Sequence, residues 1–128
     1  IYHTNVMMSI GEKFALICIK SIDDPKEKSE IIRLLNQPKR EIIEVNESQI
    51  ENFVGNILEV QNLEKQNFII MSTRAFEYLN KKQRNKLECY GEIIHSDLNI
   101  IEKIGGGSAR CMITENFLMK KENVNLKN

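Results

Sequence analysis

Neither sign of charge is in excess. Lys plus Arg number 18 and Asp plus Glu number 18, so no net field recruits nucleic acid or an anionic membrane, and neither is expected as a partner. Long apolar runs are missing too. None approaches the roughly 20 residues needed to cross a bilayer, and no signal peptide is visible. Cysteine is sparse and odd in number. Cys18, Cys89 and Cys111 stand far apart with no CxxC pair, which argues against a disulfide-stapled scaffold and makes a reducing cytoplasm the default compartment. His3 and His95 are equally distant in sequence, so neither a zinc or other metal site nor a cofactor is expected. An initiator Met is also lacking, and Ile1 opens directly into strand-like sequence. That start leads us to expect a fragment without its N-terminal part. The polar run from Lys120 to Asn128 reads as a natural terminus.

What remains is an ordinary globular balance. The 128 residues are 41% hydrophobic and 28% charged, enough for one small domain with a core. Lys81, Lys82, Arg84 and Lys86 cluster on a predicted helix beside Glu77 and Glu88, and read as a solvated face.

The apolar pattern suggests a repeated unit. Val6 to Ile10 reads as a strand, Gly11-Glu12-Lys13 as a hairpin turn, and Phe14 to Ile19 as a strand buried on both faces. A helix follows, with Asp24 as cap, Pro25 at its first position and Glu27 completing a capping box. Ile31, Leu34 and Leu35 share one helix face, Pro38 stops it, and Glu41 to Val45 returns as a strand. The order then recurs. Asn46 and Gln49 bracket a short helix through Phe53, and Asn56–Val60 and Phe68–Ser72 read as strands. Helices over Thr73–Leu79 and Lys81–Cys89, the second with an Asn80/Gln83 capping box, lead to a strand at Glu92–Ile94. Asn5-Val6-Met7 matches Asn56-Ile57-Leu58, and Glu41-Ile42-Ile43 matches Glu92-Ile93-Ile94, both at an offset of 51 residues. A third unit is expected to start after the loop Gly105–Ser108, with Arg110–Thr114 as its first strand and its partners outside the chain or in another copy.

Few residues carry chemistry. The glycine run lacks the Lys-Ser/Thr of a P-loop and opens no amphipathic helix, so phosphate binding has little support. Three glycines do let a backbone approach another group closely. Cys111 after them could face a cleft, whereas Cys18 and Cys89 read as packing residues. A thiol nucleophile needs its thiolate, and an imidazole nearby stabilises the thiolate and moves protons. His3 is the candidate, with His95 as competitor. For all of these residues, ordinary packing or strand-start roles remain open on composition alone.

His3-Thr4-Asn5-Val6-Met7-Met8, Phe53-Val54-Gly55-Asn56-Ile57-Leu58-Glu59-Val60 and Gly105-Gly106-Gly107-Ser108-Ala109-Arg110-Cys111-Met112 together resemble the arginine deiminase and amidinotransferase superfamily. The citrulline-hydrolase-like amidinotransferase branch looks nearest. The likeness runs to Leu118. It implies an α/β fold, the pentein, a propeller of ββαβ modules around a cleft. Here that would be the C-terminal part over residues 1–128, with modules at about 3–45 and 53–96 and a catalytic-cysteine segment at 105–118. The resemblance further implies Cys111 as covalent nucleophile and His3 as acid/base, acting on a small guanidino or ureido compound such as arginine or citrulline. Asn5, Gly107, Ser108 and Arg110 are the implied substrate-binding residues. Many relatives carry Asp where Asn5 stands, and a neutral amide offers no charge-assisted double hydrogen bond, which admits a neutral ureido group. The guanidine-gripping acid is expected before Ile1, in a missing N-terminal part or supplied through self-association. The alternatives are a non-catalytic pentein acting as a binding module, or an inactive fragment of such an enzyme.

Overall fold

The computed structural model describes residues 3–37 and 39–115. The expectations for Pro38 and for the stretch from Asn116 to Asn128 fall outside these residues. The described residues form two three-stranded sheets of identical topology. In the first, β1 (Met8–Ile10) pairs antiparallel with β2 (Phe14–Ile17), which pairs parallel with β3 (Glu41–Glu44). In the second, β4 (Leu58–Gln61) pairs antiparallel with β5 (Asn67–Ser72), which pairs parallel with β6 (Glu92–Ser96). The parallel crossovers carry α2 (Pro25–Leu35) in the first unit, and α4 (Thr73–Tyr78) and α5 (Lys81–Glu88) in the second. The short α3 (Glu47–Glu51) joins the units.

The local signals explain most boundaries. Asp24 accepts from the Lys26 and Glu27 amides and Pro25 opens α2, so the start of that helix is fixed by its own side chains. Both Asn46/Gln49 and Asn80/Gln83 form reciprocal capping boxes. The two box glutamines also bond each other through both amide groups, at 2.7 and 3.1 Å, and Gln83 donates to the Glu44 carbonyl. This buried amide pair locks α3 to α5 and to the end of β3. Replacing Gln83 with Leu strands several buried partners at once, and should lower stability in urea unfolding by about 2–4 kcal/mol.

Strand β2 is buried on both faces, as its apolar run dictates. Phe14, Leu16 and Cys18 enter a core shared with Ile43, Ile57, Ile69, Met71 and Leu87, while Ala15 and Ile17 turn to a second cluster with Leu35, Ile31 and Ile42. The first cluster joins residues of both sheets and holds them as one body. At its rim, Glu41 takes hydrogen bonds from Lys86 and Tyr90. Those bonds, the Lys86 ammonium first, hold the Glu41 carboxyl below its ordinary value. The Glu41 bond pushes the Tyr90 phenol up to about 12. A raised phenol contributes stability that is complete below its unfolded value of 10.0 and is lost as pH rises toward about 12.

Three expectations change. The chain from Thr4 to Met7 is a helical turn, α1, and β1 begins only at Met8. Asn99–Gly105 is a helix, α6, which takes in the first glycine of the expected loop. The expected third strand is a 3-10 turn at Ala109–Met112. Its backbone is held by the Cys111 amide donating to the Ser108 carbonyl at 3.0 Å. The Arg110 amide donates to a side chain of the second unit, Asn56, rather than to a strand.

Candidate active site

The site forms where the starts of the two units meet. Ser9 of β1 is buried, and its hydroxyl lies 2.7 Å from the carbonyl oxygens of both Gly55 and Ile57. Gly55 passes so close to α1 that a Cβ there would lie 2.4 Å from the Val6 carbonyl oxygen and 2.8 Å from the Met7 carbonyl carbon. Only glycine permits that approach. It brings Asn56 beneath the His3–Asn5 segment.

Asn56 is fully buried and makes three contacts. Its Nδ2 donates to the Asn5 carbonyl oxygen at 2.7 Å and to Cys111 Sγ at 3.1 Å. Its Oδ1 accepts from the Arg110 amide at 3.1 Å. Cys111 and the Asn5 backbone therefore lie within two hydrogen-bond lengths of each other, with one amide nitrogen between them. His3, two residues earlier, is the N-terminal flanking residue of α1 and is exposed. Cys111 is exposed as well.

The loop before Cys111 is held from the other side. Helix α6 ends at Gly106, which adopts the left-handed conformation. A Cβ on Gly107 would lie 2.9 Å from Cys111 Sγ and 3.0 Å from its Cβ. Ser108 is buried and donates to Glu102 at 2.7 Å. The Glu102 carboxylate is fully enclosed and pairs with Arg74 Nε at 3.1 Å, which anchors the loop to the start of α4.

Of the four expected substrate-binding residues, Asn5 keeps a buried Oδ1 with no hydrogen-bond partner among the described residues. The Ser108 hydroxyl is taken by Glu102, and the Arg110 guanidinium turns inward to Ser9 at 3.4 Å. Gly107 supplies space for the thiol rather than a polar contact. His95 is engaged elsewhere: its ring stacks on Phe76 at 4.3 Å, and Nδ1 lies 3.0 Å from Thr73 Oγ1. Cys18 is buried as a packing residue, as expected. Cys89 is not; it sits exposed at the end of α5, its thiol donating to the Asn85 carbonyl. Among the described residues, no group of three or more His, Cys, Asp or Glu is placed to hold a metal, and no helix is long and apolar enough to cross a membrane.

Sequence reasoning missed Asn56, Glu102 and Arg74 as site residues. For Asn56 a signal existed: it stands opposite Asn5 in the 51-residue repeat. Glu102 and Arg74 lie on separate elements and carry no local signal.

The family model described as N,N dimethylarginine dimethylhydrolase, eukaryotic, matches residues 1–118. No curated protein matches the chain. Several solved structures share its fold. ArgZ, an arginine dihydrolase from the ornithine-ammonia cycle in cyanobacteria, is 24% identical with a TM-score of 0.60 over 86% of this chain and 15% of its own. Unliganded AgrE is 19% identical with a TM-score of 0.62, over 86% of this chain and 14% of its own. A variant N-terminal domain of ArgZ, covalently bonded to a reaction intermediate, is 22% identical with a TM-score of 0.62, over 86% of this chain and 36% of its own. The chain thus spans little more than a third of even that domain. These likenesses place the mixed α/β architecture among pentein-fold proteins.

Proposed function

We propose, because this chain belongs to the eukaryotic N,N dimethylarginine dimethylhydrolase family, that it carries the nucleophile and the acid/base of an enzyme that hydrolyses a C–N bond of a guanidino or ureido compound. The observation that supports this best is the single Asn56 amide nitrogen shared by Cys111 Sγ and the Asn5 carbonyl, two residues from His3.

The reaction follows from these groups. The Cys111 thiolate adds to the electron-poor guanidino carbon, forming a C–S bond. As the C–N bond breaks, the imidazolium of His3 gives its proton to the departing amine. Water then adds to the thiouronium carbon and passes a proton to His3. The C–S bond breaks, the thiolate is restored, and a ureido product leaves. An amine in place of water would make the reaction an amidino transfer. Asn5 brings a neutral side-chain amide to this segment, with its Oδ1 enclosed until the surrounding groups move. A neutral amide holds a cationic guanidinium less tightly than a carboxylate would, which admits a neutral ureido group. The family description supports a methylated guanidine as substrate.

An exposed nucleophile is poorly shielded from water. We therefore read the chain as two ββαβ units of a pentein propeller whose remaining modules, carrying the guanidine-gripping acid, close the cleft. The protein carrying those modules should release dimethylamine from dimethylarginine, or ammonia from arginine or citrulline, and the 128-residue chain alone should release neither. Brisk release by the isolated chain would show that its site is already complete. No amine release from any of these compounds by the complete protein would favour the reading as a binding module.

A further inference from the structure

We infer that Asn56 is the positioning residue of the nucleophile: its side-chain amide donates a hydrogen bond to Cys111 Sγ and holds it against the His3–Asn5 segment. This rests on the reading of Cys111 as nucleophile and adds the group that readies it.

The geometry leaves the amide one orientation. Nδ2 carries two protons and faces two acceptors, the Asn5 carbonyl oxygen at 2.7 Å and Sγ at 3.1 Å. Oδ1 faces a donor, the Arg110 amide at 3.1 Å. Turning the amide over would set oxygen against the Asn5 carbonyl and nitrogen against an N–H, a mismatch at both ends. A fixed N–H aimed at Sγ gives the sulfur one preferred place among its rotamers. Burial keeps water from replacing that donor, since Asn56 is 0% exposed. The same side chain holds the turn carrying Cys111, through Arg110, and the segment carrying His3, through Asn5. One residue therefore fixes the sulfur relative to the segment that carries His3. Gln in its place would be longer by a methylene in an enclosed site, and Leu would keep the bulk and lose all three bonds.

The 128-residue chain with Cys89→Ser leaves Cys111 as its exposed thiol and buried Cys18 as a reporter of folding. In that chain the Asn56 side-chain amide resonances are followed by NMR while iodoacetamide alkylates Cys111 and leaves Cys18 unmodified. Alkylation takes Sγ away as an acceptor for the Nδ2 proton, so those resonances should shift clearly. Resonances unchanged when Cys111 is fully alkylated contradict the inference. In the complete protein, Asn56→Leu should lower kcat about tenfold or more with KM little changed, as expected of a displaced nucleophile. A rise in KM alone, or kcat kept as in the parent, overturns it; should the variant not fold, the NMR readout decides. That readout needs no turnover, so its failure is distinct from failure of the proposed reaction.

Discussion

Replacing Cys111 with Ala should reduce amine release by the complete protein about 10⁴-fold or more, with the fold intact. The size of the loss follows from the role. Without sulfur no covalent intermediate forms, and what remains is substrate binding and whatever His3 contributes to direct attack by water. Structural damage should be slight. Cys111 lies outside both hydrophobic clusters and is exposed, so loss of its thiol opens no cavity. Circular dichroism and urea midpoints of the variant should match the parent. Cys18→Ala gives the opposite pattern, because Cys18 is enclosed among Phe14, Leu16 and Val45 in the shared core. That substitution should cost stability and leave the chemistry of the folded fraction alone. Equal activity in Cys111→Ala and the parent would remove the proposed mechanism.

Gly107→Ala should reduce turnover by about 100-fold, the scale of a nucleophile displaced by roughly 1 Å. The added methyl would sit 2.9 Å from Cys111 Sγ and 3.0 Å from its Cβ, inside ordinary contact distance. Relief requires either a new cysteine rotamer or a shift of the turn. A shifted turn strains the Asn56 bonds to Sγ and to the Arg110 amide. The other side of the loop cannot give easily, because Ser108 is tied to Glu102 and Glu102 to Arg74. The effect should appear in kcat, since Gly107 offers no side-chain group to bind substrate. Gly105→Ala nearby is the control: a Cβ there meets nothing within 4 Å, and its activity should stay within about twofold of the parent. Equal losses at both glycines would point to general loop stiffening rather than displacement of the thiol.

How much of this was legible in the sequence divides along physical lines. Features fixed by neighbours in the chain could be read directly. The two Asn/Gln capping boxes, the Asp24-Pro25 helix start and the doubly buried β2 are local signals, and each element starts where they place it, though β2 ends at Ile17 and Ile19–Ser21 is a 3-10 turn. The ββαβ order and its recurrence could also be read, because strand and helix periods alternate cleanly. Features set by tertiary contact could not. Val6 opens an apolar run that reads as a strand, yet Gly55 lies against the Val6 and Met7 backbone and Asn56 bonds the Asn5 carbonyl, and the segment is a helical turn. Arg110 to Thr114 reads as a strand by its apolar Cys-Met-Ile run, but the Asn56 bond to the Arg110 amide accompanies a 3-10 turn there.

Helix α6 hid itself by inverted burial. Ile100 and Ile104 are 76% and 81% exposed while Glu102 is buried. The apolar face of the segment therefore gives no core-facing period, and its enclosed carboxylate is explained only by Arg74 and Ser108. The nucleophile and the acid/base rest on motif resemblance, because a lone cysteine and a lone histidine 108 positions apart carry no geometry in the sequence.

The central claim is that Cys111 bonds covalently to substrate carbon. Acid-quenching the complete protein during turnover of dimethylarginine, followed by intact mass measurement and peptide mapping, tests it most directly. The expected result is a mass increase equal to the substrate less dimethylamine, mapped to the peptide containing Cys111 and absent in Cys111→Ala. Product release with no adduct at any quench time, or an adduct mapped to Cys18 or Cys89, would contradict it.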